Sequence, residues 1–68
     1  MLKLDLKKLF LFQAKACFNT NELAEKAKIP RTTLSSIMHG KRNATPKTIG
    51  LLAKALNVDV TEIVVDEN

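Results

Sequence analysis

Between residues 19 and 40 two short runs with helical spacing are separated by a break of only two residues, and each run carries its own start and stop signals. The first, Asn19-Thr20-Asn21-Glu22-Leu23-Ala24-Glu25-Lys26-Ala27, opens on an asparagine with a glutamate three residues later. That spacing lets the two side chains satisfy free N–H groups reciprocally at a helix start. The second run, residues 30 to 39, begins with Pro30, whose fixed φ suits a first helical turn, and is followed by Gly40, well able to take a left-handed stop.

At 100° per residue the second helix divides into two arcs. Counting from Arg31, the apolar Leu34, Ile37 and Met38 fall at roughly 300°, 240° and 340°, whereas Arg31, Ser35, His39, Thr32 and Ser36 fall at roughly 0°, 40°, 80°, 100° and 140°. The outer arc of an ordinary surface helix is filled with Glu and Lys for solubility. Here it holds one arginine, one histidine and three hydroxyls without a carboxylate, so it can approach phosphates without repulsion.

Sixty-eight residues make a single domain spanning 1–68, with burial that is marginal for its size. The net charge of +4 is unevenly placed: residues 1–44 hold nine Lys/Arg against three Asp/Glu, residues 45–68 two against four. The basic half contains the two-helix pattern, which favours a polyanionic partner. The single cysteine, Cys17, cannot form an internal disulfide and is expected to be a reduced, buried or boundary residue. The apolar run Leu9-Phe10-Leu11-Phe12 is shorter than the roughly 7 to 15 residues of a signal-peptide core, and nothing approaches the roughly 18 of a membrane span. A cytoplasmic protein is expected.

Residues 5 to 17 are expected to form the first helix, with Leu6, Leu9, Phe10, Gln13 and Cys17 on one stripe. Its apolar arc is too wide for one small core, which leaves Leu11, and with it Phe10, for the surface or a subunit contact. Phe18 is placed to staple onto Leu23. After the basic loop Lys41-Arg42-Asn43-Ala44, Thr45-Pro46 caps a fourth helix carrying Ile49, Leu52, Ala53 and Leu56. Gly50 inside it costs about 1 kcal/mol relative to alanine, which close packing there would explain. Asn57 is a left-handed stop, and Asp59-Val60-Thr61-Glu62 opens a last short helix through Val64. Residues 66–68 are expected to fray. No strand signal, repeat or low-complexity segment stands out.

Four blocks, Glu22-Leu23-Ala24-Glu25-Lys26-Ala27, Ile29-Pro30-Arg31-Thr32-Thr33-Leu34-Ser35-Ser36-Ile37, Gly40-Lys41-Arg42-Asn43 and Leu52-Ala53-Lys54-Ala55-Leu56-Asn57-Val58, resemble the lambda-repressor/Cro-type (XRE-like) helix-turn-helix family. The likeness runs over residues 6 to 63. It implies an all-α, five-helix, lambda-repressor-like DNA-binding domain whose helices 2 and 3 form the DNA-binding unit, the third lying in the major groove. It further implies that Thr20 stands where members place a phosphate-touching Gln or Ser, that Arg31 and Thr32 begin base reading with Ser36 one turn on, and that Lys41, Arg42 and Asn43 line phosphates. Where many members pair an arginine on helix one with a glutamate near the end of helix three, this chain has Gln13 and Met38. Loss of both charges fits softer packing, whereas loss of one would strand the other.

The candidate base-reading residues are therefore Arg31, Thr32, Ser35 and Ser36, and the candidate phosphate-binding residues Thr20, Asn21, Thr33, His39, Lys41, Arg42 and Asn43. The arginine fork can donate to both O6 and N7 of guanine; the alternatives for Arg31 are a phosphate contact or pairing with Glu25 or Glu22. Thr32 offers a methyl to thymine, and Ser36 a hydroxyl to several bases. Thr33 flanks the face as a phosphate ligand or a local backbone bonder. His39 has no Cys, His or carboxylate at ligand spacing, so no metal or other cofactor is expected. No nucleophile has a base and an orienter, which excludes an enzyme of ordinary type. The expected function is sequence-specific binding of double-stranded DNA by a prokaryotic or phage repressor, as a homodimer on a two-fold operator. The alternative is a protein-interaction subunit, such as an antitoxin or anti-repressor, that keeps the fold and binds its partner through Phe10, Leu11 or the valine-rich tail.

Overall fold

A computed structural model describes residues 2–66. The chain runs β1 (Leu2–Leu4), α1 (Leu6–Lys15), α2 (Thr20–Ala27), α3 (Arg31–Met38), α4 (Pro46–Leu56), a three-residue 3-10 turn (Val60–Glu62) and β2 (Val64–Asp66). The fold is helical, as expected, with α2 packed against both α3 and α4. Leu9, Leu23, Leu34, Ile49, Leu52 and Ile63 are fully buried at its centre. Each such side chain contributes about 1.5–3 kcal/mol by leaving water.

The starts of the helices follow the local chemistry. Asn19 accepts from the Glu22 N–H while the Glu22 carboxylate accepts from the Asn19 N–H, completing the box that opens α2. Thr45 accepts from the Thr48 N–H and Pro46 takes the first position of α4. Asp5, an unanticipated cap, accepts from the Lys8 N–H to open α1. Pro30 sits one position earlier than expected: it is the cap residue of α3, with ψ 138°, and α3 begins at Arg31.

All four α-helices end alike. Cys17, Lys28, Gly40 and Asn57 take left-handed φ of 60°, 59°, 74° and 58°. The residue after each reaches back into its helix, with N–H bonds from Phe18 to the Gln13 carbonyl, Ile29 to Ala24, Lys41 to Ser36 and Val58 to Ala53. This is the Schellman arrangement, which satisfies carbonyls that a helix end would otherwise leave open. Gly40 and Asn57 are the stops expected from the sequence. Cys17 corrects the expectation for α1, which ends at Lys15, and the residue is exposed, not buried, because it lies in the turn beyond the helix. Phe10 is likewise off the core stripe, at 49% exposure, beside Leu11 at 53%.

The C-terminal expectation needs a larger correction. The Asp59–Glu62 box is present, but it opens only a 3-10 turn, and no fifth α-helix forms among the described residues. Ile63 accepts from the Asp5 N–H at 2.8 Å, and the chain leaves the turn extended. β2 then pairs antiparallel with β1 in the register Leu2↔Asp66, Lys3↔Val65 and Leu4↔Val64. The β-branched run Ile63-Val64-Val65 favours extended backbone over another helical turn. Bonds from the Thr61 N–H and hydroxyl hold the Asp59 carboxyl below its ordinary pKa, which strengthens this cap in its charged form. Of the residues expected to fray, Asp66 lies in β2, and Glu67 and Asn68 fall outside the described residues.

Gln13 and Met38, the pair standing in for two charges, are both buried, at 9% and 8% exposure. Met38 Sδ accepts from the Thr20 hydroxyl at 3.8 Å, whereas Gln13 Oε1 is buried without a partner. Around Gly50 an added Cβ meets nothing within 4 Å, so close packing does not account for this glycine.

Candidate nucleic-acid interface

The outer face of α3 and the start of α2 enclose an open groove of about 470 Å³ lined by Thr20, Asn21, Arg31, Thr32, Ser35 and Ser36. All four candidate base-reading residues thus meet in one place, together with two of the candidate phosphate ligands. Helical periodicity puts the four on one side of α3, because Leu34, Ile37 and Met38 are held in the core. The crossing of α2 over α3 supplies the opposite wall. Arginine contributes the only formal charge in the lining.

Hydrogen bonds order this face across elements. Arg31 Nη1 donates to Asn21 Oδ1 at 3.3 Å, so Asn21, and neither Glu22 nor Glu25, holds the guanidinium. Arg42 Nη1 donates to the Thr33 hydroxyl at 3.3 Å, tying the loop after α3 back to the helix. His39 Nδ1 donates to the Ser35 carbonyl at 2.7 Å.

The remaining candidates lie outside the groove lining. Lys41, Arg42 and Asn43 are exposed in the loop beyond Gly40. At the other three helix ends the residue following the left-handed position is apolar and partly buried against the core: Phe18, Ile29 and Val58. At α3 that position is Lys41, which keeps the backbone bond to Ser36 but turns a cation outward. Thr20 lines the groove, yet its hydroxyl proton is directed at Met38 Sδ. Its backbone N–H and that of Asn21 sit in the first turn of α2, where a helix favours negative charge.

Sequence reasoning missed Lys28, which lines an adjoining groove of about 380 Å³ that shares Asn21 and Arg31 with the first. The available signal was Ile29, an apolar residue following a potential left-handed stop. Among the described residues no cluster of His, Cys, Asp and Glu could hold a metal ion. No helix there is long and apolar enough to cross a membrane.

Comparison with known proteins agrees with the fold. Among solved structures, the chain is similar to the restriction-modification controller protein C.AhdI from Aeromonas hydrophila, with a TM-score of 0.78 over 84% of this chain and 86% of that one. The identity is 23%, and the likeness establishes a common fold. No curated protein sequence matches the chain. Residues 20–63 match the family described as Helix-turn-helix, a span that takes in α2, α3 and α4. The chain therefore belongs to the helix-turn-helix family of DNA-binding regulators.

Proposed function

We propose that the protein reads double-stranded DNA sequence-specifically by laying α3 in the major groove, and that it represses transcription in a prokaryotic or phage setting. One observation carries this reading: a groove on the outer face of a helix-turn-helix lined by hydroxyls, an amide and a single arginine, with no carboxylate. Arg31 is the guanine reader. Thr32, Ser35 and Ser36 add contacts of lower selectivity, since a hydroxyl can serve several bases. Lys41, Arg42 and Asn43 supply the phosphate contacts that set register and much of the affinity, aided by the first-turn N–H groups of α2.

The protein acts as a cytoplasmic homodimer without cofactor or catalysis, one copy per half-site. Family membership favours DNA reading over a protein-interaction subunit built on Phe10, Leu11 or the valine-rich tail. Selection of bound duplexes from a random pool, followed by titration at several salt concentrations, tests it. The expected result is an enriched site containing an invariant guanine, with log affinity falling linearly against log salt. An unenriched pool, with no duplex bound even at low ionic strength, would overturn the proposal.

A further inference from the structure

We infer that Asn21 is a positioning residue for base selection: its amide oxygen holds the Arg31 guanidinium by Nη1 and leaves the Nε/Nη2 edge free to face guanine. This rests on the DNA-reading assignment of α3. It replaces the phosphate contact that the sequence led us to expect of Asn21.

The argument begins with the cost of order. Arg31 is exposed, and an exposed arginine samples many rotamers, most of them useless for a two-point contact. A bidentate bond to O6 and N7 requires one orientation of the planar fork. Asn21, on the neighbouring helix, restricts that orientation through a bond of 3.3 Å. Because only Nη1 is engaged, a complete pair of parallel donors remains on the other edge.

The chemistry of the acceptor matters as much as its place. A carboxylate would hold the guanidinium more strongly, but it would cancel the charge that attracts DNA and present an anion to the phosphates. Glu22 and Glu25 are exposed on the same short helix, yet the bond goes to the amide between Thr20 and Glu22. The Arg42 guanidinium is treated in the same way, with the neutral Thr33 hydroxyl as its acceptor, also at 3.3 Å. Both arginines of this face are thus oriented without being neutralised.

The test compares the unaltered protein with Asn21→Ala, Asn21→Asp, Arg31→Ala and the double Asn21→Ala/Arg31→Ala variant. Each is titrated with the selected duplex, the same duplex changed only at the invariant guanine, and an unrelated duplex, over a range of salt. Arg31→Ala should remove the guanine preference, a loss of roughly 5- to 150-fold. Asn21→Ala should lower that preference at least about threefold, a share of the same contact, while affinity for unrelated duplex and the salt slope hold. On the Arg31→Ala background it should change the preference no further. Asn21→Asp should keep the preference but weaken binding to every duplex and reduce the salt slope by about 1. The inference is overturned if Asn21→Ala weakens all duplexes alike with the guanine preference intact, which would make Asn21 a phosphate ligand. It is also overturned if the two alanine effects on preference add, or if Arg31→Ala leaves the preference in place. Failure of the unaltered protein to bind any duplex would instead remove the underlying reading.

Discussion

Gln13 is the one buried polar side chain among the described residues, and its Oε1 has no partner. A buried acceptor left open costs about 1–3 kcal/mol, whereas an apolar group of similar shape carries no such penalty. Gln13→Leu should therefore stabilise the fold by about 1–2 kcal/mol. Urea unfolding would show this as a higher midpoint at unchanged slope, and a lower midpoint would mean that the amide oxygen is satisfied in solution. At the other end of the polarity scale stands Lys41, the cation placed where three helix ends put an apolar anchor. Because its side chain contributes nothing to the core, Lys41→Ala should leave the melting temperature within about 2–4 °C, the effect of a surface substitution of at most 0.5 kcal/mol. It should weaken binding to all duplexes and reduce the salt slope by about 1; an unchanged slope would remove Lys41 from the phosphate contacts.

At the scale of the elements, three starts were readable because a cap is a contact between residues two or three apart, as at Asn19, Thr45 and Asp59, whereas the Asp5 cap of α1, with no glutamate or glutamine three residues on to complete a box, was not. The ends were half readable. Gly40 and Asn57 announce a left-handed residue by type, but Cys17 and Lys28 take the same conformation with side chains that disfavour it. What compensates them is the apolar residue that follows and returns to the core, a tertiary contact that lies outside local propensity. Lys28→Gly should thus stabilise α2 by about 1 kcal/mol by relieving the left-handed penalty. Gly50→Ala should stabilise α4 by a similar amount, about 1 kcal/mol, since the added methyl meets nothing within 4 Å. Thermal melts of both variants check this, and a fall at Gly50→Ala would show that something approaches that helix in solution. The last helix was misjudged for the same physical reason. A capping box specifies only a first turn, and the partner that draws the tail into a strand, Leu2–Leu4, lies at the far end of the chain. The candidate site was legible as a face, because the period of one helix places Arg31, Thr32, Ser35 and Ser36 together. The Asn21–Arg31 and Thr33–Arg42 bonds were not, since they depend on how two elements cross.

For the whole molecule, size decides how many copies act together. The longest dimension is 32 Å, and α3, with eight residues, is about 12 Å long, so one copy offers one short reading edge. Successive major-groove faces on one side of a duplex lie about 34 Å apart. A single copy cannot set α3 into both, and the few base pairs it does reach give little discrimination against a genome of competing sites. Two copies on inverted half-sites can, each setting its own α3 into one of them. A duplex carrying two inverted half-sites centred one helical turn apart should therefore bind more tightly than a duplex with one, by at least about tenfold, the gain expected when a second contact becomes intramolecular. Inserting about five base pairs between the half-sites turns the second onto the opposite side of the duplex, and affinity should fall back to that of the single site. Equal affinity for the one-site, two-site and shifted duplexes would show that each copy binds alone, and the homodimer would have to be abandoned while the reading of one half-site by Arg31 stood.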